Sequence, residues 1–393
     1  MRILYDDNMP YAAELFPLLG EARSFNHQNI HAADFASVEA LMIRSTTKVD
    51  DALLSLSPHC RFVATATAGT NHMHFAALNA RNINHTSAAG CNAESVAEYT
   101  LAAALHGLCK QQKIDVNDSI DVFETISVGV IGVGQVGRRV AYKFASLGCE
   151  VVLSDPPRAI AEGNSNLDQL DQVLQCDVIC CHAPLVKDGE FPSFHILNEQ
   201  VLASLQTEQL LINAGRGEII NNQALLNLKR QGDGPMLILD VWENEPDILS
   251  ELIPYCEIAT PHIAGHSLEG KARGTFMLFE WLCEQVGATC SVNMNDYLPN
   301  DDKQVSCHDE TLSVGTVKTL VESIYDITID HSEFVQNMAQ SNRFAQLRKQ
   351  YRNAQYNPNT ITRREFATLK ISCSHTNTQT LLSNLGFQAT LVL

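Results

Sequence analysis

Residues 127–155 read SVGVIGVGQVGRRVAYKFASLGCEVVLSD. Ser127 to Gly132 is a short apolar run of strand character. Val136, Val140, Phe144 and Leu147 then recur at helical spacing, and Gly148 supplies a stop. CEVVLSD reads as the next strand. Between the first strand and the helix lie Gly132, Gly134 and Gly137, a Gly-x-Gly-x-x-Gly turn. Each glycine has its own physical reason: a tight turn at Gly132, open backbone for an approaching pyrophosphate at Gly134, and close helix–strand packing at Gly137. Unpaired N–H groups at the helix start favour phosphate. Asp155 ends the second strand at the distance expected of an acid that accepts from ribose hydroxyls. It would also repel a 2′-phosphate, so the stretch predicts NAD, with nearby Arg158 leaving NADP open.

Working outward, DVICCH, LLINAG, MLILDVW and EIATP are further strand-like runs. With the opening unit they predict a doubly wound NAD-binding domain over residues 98–262. Before it, RILYDD, ALMIRS and RFVATATAG each read as a strand ending in a polar or small-residue loop, which predicts a second parallel α/β lobe over residues 1–97, completed by about 263–287. A helix from about Ala93 to Gln112 offers Val96, Leu101, Leu105 and Leu108 as one apolar side. After Gly287 the chain turns polar. TLSVGTVKTLVESIYDI is helix-like, LRKQYR is basic, and FATLKIS, TQTLLSNLG and FQATLVL form a strand–helix–strand pattern. Residues 288–393 are therefore expected to be a small α+β domain. The expected class is α/β: two Rossmann-like lobes plus this C-terminal domain.

The 393 residues carry a formal charge of -18, with 45% hydrophobic and 18% charged residues. That composition suits a globular chain and argues against nucleic acid or anionic membrane as partner. An acidic substrate must then be gathered by local cations. The 12 cysteines include no Cys-x-x-Cys pair. Cys180 and Cys181 lie in an apolar run and, with Cys176, read as buried small hydrophobes in a reducing compartment. MRILYDDNMP lacks a signal-peptide pattern, and no apolar run approaches the ~18 residues of a membrane span. A cytoplasmic protein is expected.

Three more strand ends carry polar residues. LLINAGRGEII presents Arg216 between glycines, MLILDVWENEP presents Asp240 and Glu245, and EIATPHIAGH presents His262. In an open α/β sheet the carboxyl ends of the strands face the ligand crevice. Arg216, Glu245 and His262 together suit hydride transfer from a 2-hydroxy acid. A neutral histidine takes the hydroxyl proton, a carboxylate steadies the imidazolium, and a guanidinium grips the substrate carboxylate. The glycines around Arg216 fit close approach of a ligand to the backbone. His262 and His266 have a metal-like spacing, but Pro261 and Gly265 disfavour the helix it requires, so no metal is expected. IRSTTK places Ser45 between Arg44 and Lys48 as a phosphate or carboxylate cradle, with solvated charges as the other reading.

In this order, GxGxxG…D, NAGRG, DVWENEP and PHIAG resemble the D-isomer-specific 2-hydroxyacid dehydrogenases. ILYDDNMPYA, ALMIRSTTKV, FVATATAGTNH, GCNAESVAEY, SDPPRA, HAPLVKDG, HIAGHSLEGKARGT and RREF resemble the branch that oxidises 4-phospho-D-erythronate to 2-oxo-3-hydroxy-4-phosphobutanoate in pyridoxal 5′-phosphate synthesis. The likeness spans essentially the whole chain. It implies NAD as acceptor, a homodimer with the tail as dimerisation domain, and a small phosphorylated hydroxy acid as substrate. It implies substrate contacts at Ser45 and Thr67. Cofactor contacts would include Gln135, Val136, Asp155, Asp240 and Gly265. Arg216 and Glu245 would be catalytic, with His262 as proton carrier. The chain departs from the family at His266, where a substrate-binding tyrosine is expected, and at Ala64, Asn71 and Ala183. His266 is read as a variant wall of the substrate pocket. Arg348, Arg352, Arg363 and Arg364 are candidate phosphate contacts on charge alone. Two other readings stand beside this one: a related dehydrogenase, such as one acting on 3-phosphoglycerate, and an NAD-sensing binding protein.

Overall fold

The computed structural model describes residues 1–300, 303–340, 343–353 and 363–392, with only the backbone at residues 339–340 and 352–353. The chain divides into two compact units, Met1–Asn92 with Ser267–Asn300, and Ala93–His266 with Asp301–Leu393.

In the first unit, β1 (Arg2–Asp6), β2 (Glu21–Phe25), β3 (Ala40–Ile43), β4 (Phe62–Thr65) and β5 (Asn84–Ser87) form a parallel sheet in the order β2-β1-β3-β4-β5. Alternation along each strand feeds two cores. Ile3, Met42 and Phe62 pack on one face with Phe276, Phe279 and Leu282 from the helix Leu268–Val286; Leu4, Ile43 and Val63 pack on the other with Phe35 and Leu78. That helix is capped by the Ser267 hydroxyl at the Gly270 N–H (2.9 Å) and ends at Gly287 with φ +69°. Gly274 lets it approach β4, because a Cβ there would lie 2.8 Å from the Ala66 carbonyl oxygen.

The second unit contains β6 (Ser127–Ile131), β7 (Glu150–Ser154), β8 (Val178–Cys181), β9 (Leu210–Asn213), β10 (Met236–Leu239) and β11 (Cys256–Ala259). They form a parallel sheet in the order β11-β10-β9-β8-β6-β7. The chain order reverses between β6 and β8, the kind of switch point where a crevice opens beyond the strand ends. Val128, Val130, Val178 and Ile212 face the helix Ala93–Lys110, while Ile179, Leu211, Leu237 and Leu239 face Trp242, Leu225 and Leu252. Cys176, Cys180 and Cys181 are buried free thiols; burial pushes Cys176 up to about 11 and Cys181 up to about 12.

A three-stranded parallel sheet completes this unit: β12 (Gln304–Cys307), β13 (Lys370–Cys373) and β14 (Gln388–Leu391), in the order β12-β13-β14. The helices Val314–Ile324, Ile327–Gln340, Phe344–Asn353 and Thr376–Asn384 accompany it. Val314, Val317, Tyr325 and Phe366 join the core around Val96, Tyr99 and Leu105. The helix Ala93–Lys110 is thus buried on nearly every side, not along the single stripe its pattern suggested, because the C-terminal segments cover the rest of it.

Candidate functional site

Three neighbouring parallel strands, β9, β10 and β11, end at one edge of their sheet. The loops that follow carry Arg216, Glu245 and His262 to that edge. The first loop is tied by Asn213. Its side-chain oxygen accepts from the Gly215 N–H (3.1 Å), and its amide donates to the Arg216 carbonyl (3.0 Å). A Cβ on Gly215 would lie 2.9 Å from the Cys181 carbonyl oxygen, and one on Gly217 would lie 2.0 Å from the Trp242 carbonyl group. These glycines therefore serve the protein's own backbone packing. The close approach that their presence suggested is to Cys181 and Trp242. Arg216 is half-buried, and its Nη1 donates to the Gly215 carbonyl at 2.8 Å.

The second and third loops are locked together. His262 Nδ1 lies 2.7 Å from Glu245 Oε2, and Glu245 Oε1 accepts from the Trp242 N–H at 3.1 Å. A neutral ring that donates from Nδ1 leaves its Nε2 lone pair available as a base. Burial alone would push the Glu245 carboxyl up. The His262 hydrogen bond and charge, then Arg348, then the Trp242 amide outweigh it and hold the group below the usual carboxylate range. His262 itself sits at φ +57° and donates its backbone N–H to the Asp240 carbonyl at 2.7 Å. The buried Asp240 carboxylate accepts from the Thr260 hydroxyl (2.7 Å), the Ile263 N–H (2.7 Å) and the Ala264 N–H (2.9 Å). Thr260 in turn accepts from the Tyr99 hydroxyl at 2.7 Å. Asp240, reached from sequence as a cofactor contact, is also what shapes the His262 loop.

The C-terminal segments reach the same loops. Arg348 Nη1 stands 3.7 Å from Glu245 Oε2. Arg363 donates to the Ala264 carbonyl (2.7 Å) and the Ser95 carbonyl (2.6 Å), with its guanidinium 4.0 Å from the Tyr325 ring centre. The Tyr351 ring lies edge-on to His266 at 6.1 Å. Arg363 is buried within its own chain, which removes it from the set of candidate phosphate contacts. The Arg352 side chain lies outside the described residues.

The glycine-rich turn can be tested against a dinucleotide. Gly132 has φ +86°, and a Cβ there would lie 2.4 Å from Ala183 backbone. A Cβ on Gly137 would lie 2.0 Å from the Gly132 carbonyl oxygen, whereas one on Gly134 would meet nothing within 4 Å. Two glycines are thus demanded by the fold, and the third leaves open space before the helix Gly137–Ser146. Gln135 is exposed beside it, and Val136 is the residue before the first helical position. Asp155 follows β7 directly, accepting from the Val133 N–H at 2.8 Å. Arg158 is held by Glu162 (2.7 and 3.0 Å) and by the Val133 carbonyl. An arginine so engaged is a poor receptor for a 2′-phosphate, so these residues fit NAD.

In the first unit, Ser45 is exposed after β3, and Thr67 is half-buried after the adjacent β4. Thr67 Oγ1 donates to the Gly69 carbonyl at 3.0 Å, while Thr65 Oγ1 lies 2.8 Å from it and 2.9 Å from His72 Nε2. Arg44 donates to the Asn8 carbonyl at 3.1 Å, and the exposed Lys48 lies 3.2 Å from Asp50. Among the described residues one trio, Asp6, Asp7 and His27, brings ligand-type atoms within 4.8 Å of one another. Asn8 and Asn26 already donate to its two carboxylates.

The fold and the paired loops define a dinucleotide-binding dehydrogenase, and comparison with known proteins narrows the class. Residues 102–264 match the D-isomer specific 2-hydroxyacid dehydrogenase NAD binding domain, and residues 298–386 match a domain of unknown function (DUF3410). The erythronate-4-phosphate dehydrogenase of Pseudoalteromonas atlantica is 40% identical over 98% of this chain and 99% of its own length. That of Tolumonas auensis is 39% identical over 98% and 99%. The chain belongs to the erythronate-4-phosphate dehydrogenase family, a branch of the D-isomer-specific 2-hydroxyacid dehydrogenases. Two solved structures share the fold. D-lactate dehydrogenase from Aquifex aeolicus has a TM-score of 0.57 at 22% identity, covering 73% of this chain and 96% of that one. The 3-phosphoglycerate dehydrogenase of Entamoeba histolytica has a TM-score of 0.58 at 20% identity, covering 73% and 95%. No helix among the described residues is long and apolar enough to cross a membrane.

Proposed function

We propose that this chain oxidises 4-phospho-D-erythronate to 2-oxo-3-hydroxy-4-phosphobutanoate, with NAD as acceptor, in pyridoxal 5′-phosphate biosynthesis. The observation that carries the reading is the 2.7 Å pairing of His262 Nδ1 with Glu245 Oε2. It leaves His262 Nε2 to take the proton of the substrate's 2-hydroxyl. Glu245 orients the ring and balances the imidazolium. Arg216 binds the substrate carboxylate and polarises the neighbouring oxygen. Gly132, Gly134, Gln135, Val136, Gly137 and Asp155 would hold NAD, with Asp240 and Gly265 from the His262 loop. NAD supplies the acceptor for the hydride that leaves the same carbon. Ser45, Thr67 and His266 contact the substrate. The names carried by relatives at 38–40% identity support the choice of substrate.

The working protein is a cytoplasmic homodimer, joined through a C-terminal dimerisation domain at 288–393. A substrate lobe (1–97, completed by about 263–287) and an NAD-binding domain (98–262) precede that domain. The test is mass identification of the product from 4-phospho-D-erythronate and NAD, with and without an added 2-oxo acid to reoxidise NADH. The expected product is the 2-oxo acid, and His262→Asn should lower turnover by about 10²-fold or more. Preferred turnover of 3-phosphoglycerate, or NAD binding without turnover on either acid, overturns the reading. Sedimentation of the purified chain as a monomer removes the dimer.

A further inference from the structure

We propose that Arg348, supplied by the region matching a domain of unknown function, is a positioning residue for the proton-transfer pair Glu245–His262. The inference rests on the reading of that pair given above. The helix Phe344–Asn353 is fastened beside the pair by its own packing. Phe344 and Leu347 are buried in the core that holds Trp242, Ile248 and Leu252, with Phe334 between Trp242 and Phe344 at ring distances of 5.9 and 6.1 Å. Arg348, one residue beyond Leu347, is therefore brought to Glu245 by a well-packed element.

One carboxylate oxygen faces two partners. Glu245 Oε2 meets His262 Nδ1 at 2.7 Å and Arg348 Nη1 at 3.7 Å, while Oε1 is occupied by the Trp242 N–H at 3.1 Å. Glu245 is held from three sides, which restricts the imidazole to one orientation. The arginine thereby helps fix the carboxylate that orients the ring. Other charged or titratable groups near the pair include Glu243 in the same loop, Asp240 beneath the His262 loop, and Arg216 at the same sheet edge. From the C-terminal side come Arg363 on the Ala264 carbonyl, Tyr351 beside His266, and Asp330 behind Tyr351.

The test is kcat and KM for 4-phospho-D-erythronate and NAD, measured separately in wild type, Arg348→Met, Arg348→Lys, His262→Asn and Glu245→Gln. Thermal melts establish that each variant folds. Loss of the guanidinium frees the Glu245 carboxylate to turn, so kcat for Arg348→Met should fall about tenfold while KM changes by less than about twofold. Arg348→Lys keeps a cation beside Glu245 and should recover most of kcat. An Arg348→Met kcat equal to that of wild type, while His262→Asn and Glu245→Gln are inactive, overturns the proposal alone. A large rise in KM for the phosphorylated acid with an unchanged kcat makes Arg348 a phosphate contact and also overturns it. Retained turnover in His262→Asn overturns the site reading and this proposal together. If Arg348→Met fails to fold, Arg348→Gln is measured in its place, with the same two outcomes.

Discussion

His262 stands at φ +57°, a backbone region that residues bearing a Cβ seldom occupy and that costs on the order of 1–3 kcal/mol. Asp240 keeps it there. Its carboxylate takes the two N–H groups that follow His262 and the hydroxyl of Thr260. Asp240→Leu strands three buried donors, so denaturant melts should show a loss of about 2–5 kcal/mol. Asp240→Asn keeps one accepting oxygen and should lose less. A leucine variant as stable as wild type would mean that the loop is held otherwise. Arg216, Glu245 and His262 were legible because each follows an apolar run that reads as a strand. The structure places Glu245 and His262 in contact. The supporting role of Asp240 was not legible, because its partners are backbone N–H groups of a different loop. Arg348 was visible only as positive charge, since nothing in its neighbourhood along the chain points to Glu245.

The glycine-rich turn separates two roles that a motif merges. Gly137→Ala places a methyl 2.0 Å from the Gly132 carbonyl oxygen, so thermal melts should show a loss of about 1–3 kcal/mol or more. Gly134→Ala meets no protein atom within 4 Å. It should melt near wild type while the Kd for NAD, read by calorimetry, rises about tenfold or more. Equal NAD affinity in that variant would remove the cofactor from this turn. Strands with continuous apolar runs, such as β3, β4, β8 and β9, were readable from sequence. β2 and β5 were not, because they are edge strands whose residues are largely exposed and polar. β12 hides in a polar segment for the same reason. The helical pattern around residues 311–327 splits into two helices because Asp326 accepts from the Thr328 N–H (3.0 Å) and hydroxyl (2.6 Å), starting a new one.

Across the second unit, the C-terminal segments bury acids that solvent would otherwise stabilise. Burial pushes Asp330 up to about 6, against the opposing hydrogen bonds of Tyr325 and Tyr351 and the charge of Arg363; Glu98 is also raised, by burial and then by Glu365. A carboxyl raised on folding holds more protons in the folded state between its two pKa values. Its contribution to stability therefore falls as pH rises from about 4 to about 6, then levels. Asp330→Asn removes that fall. Urea melts should show the variant gaining about 2–3 kcal/mol on wild type between pH 4 and pH 7. A constant difference would contradict the raised pKa. No residue pattern announced this network, because it joins Tyr99, Tyr325, Asp330 and Arg363, which are separated along the chain.

Tyr325, Val314, Val317 and Phe366 also cloak the helix Ala93–Lys110. The last hundred residues are consequently no detachable appendage. Shortening this protein before residue 301 would lay bare a greasy helical flank, and such a fragment should be less soluble than the whole chain.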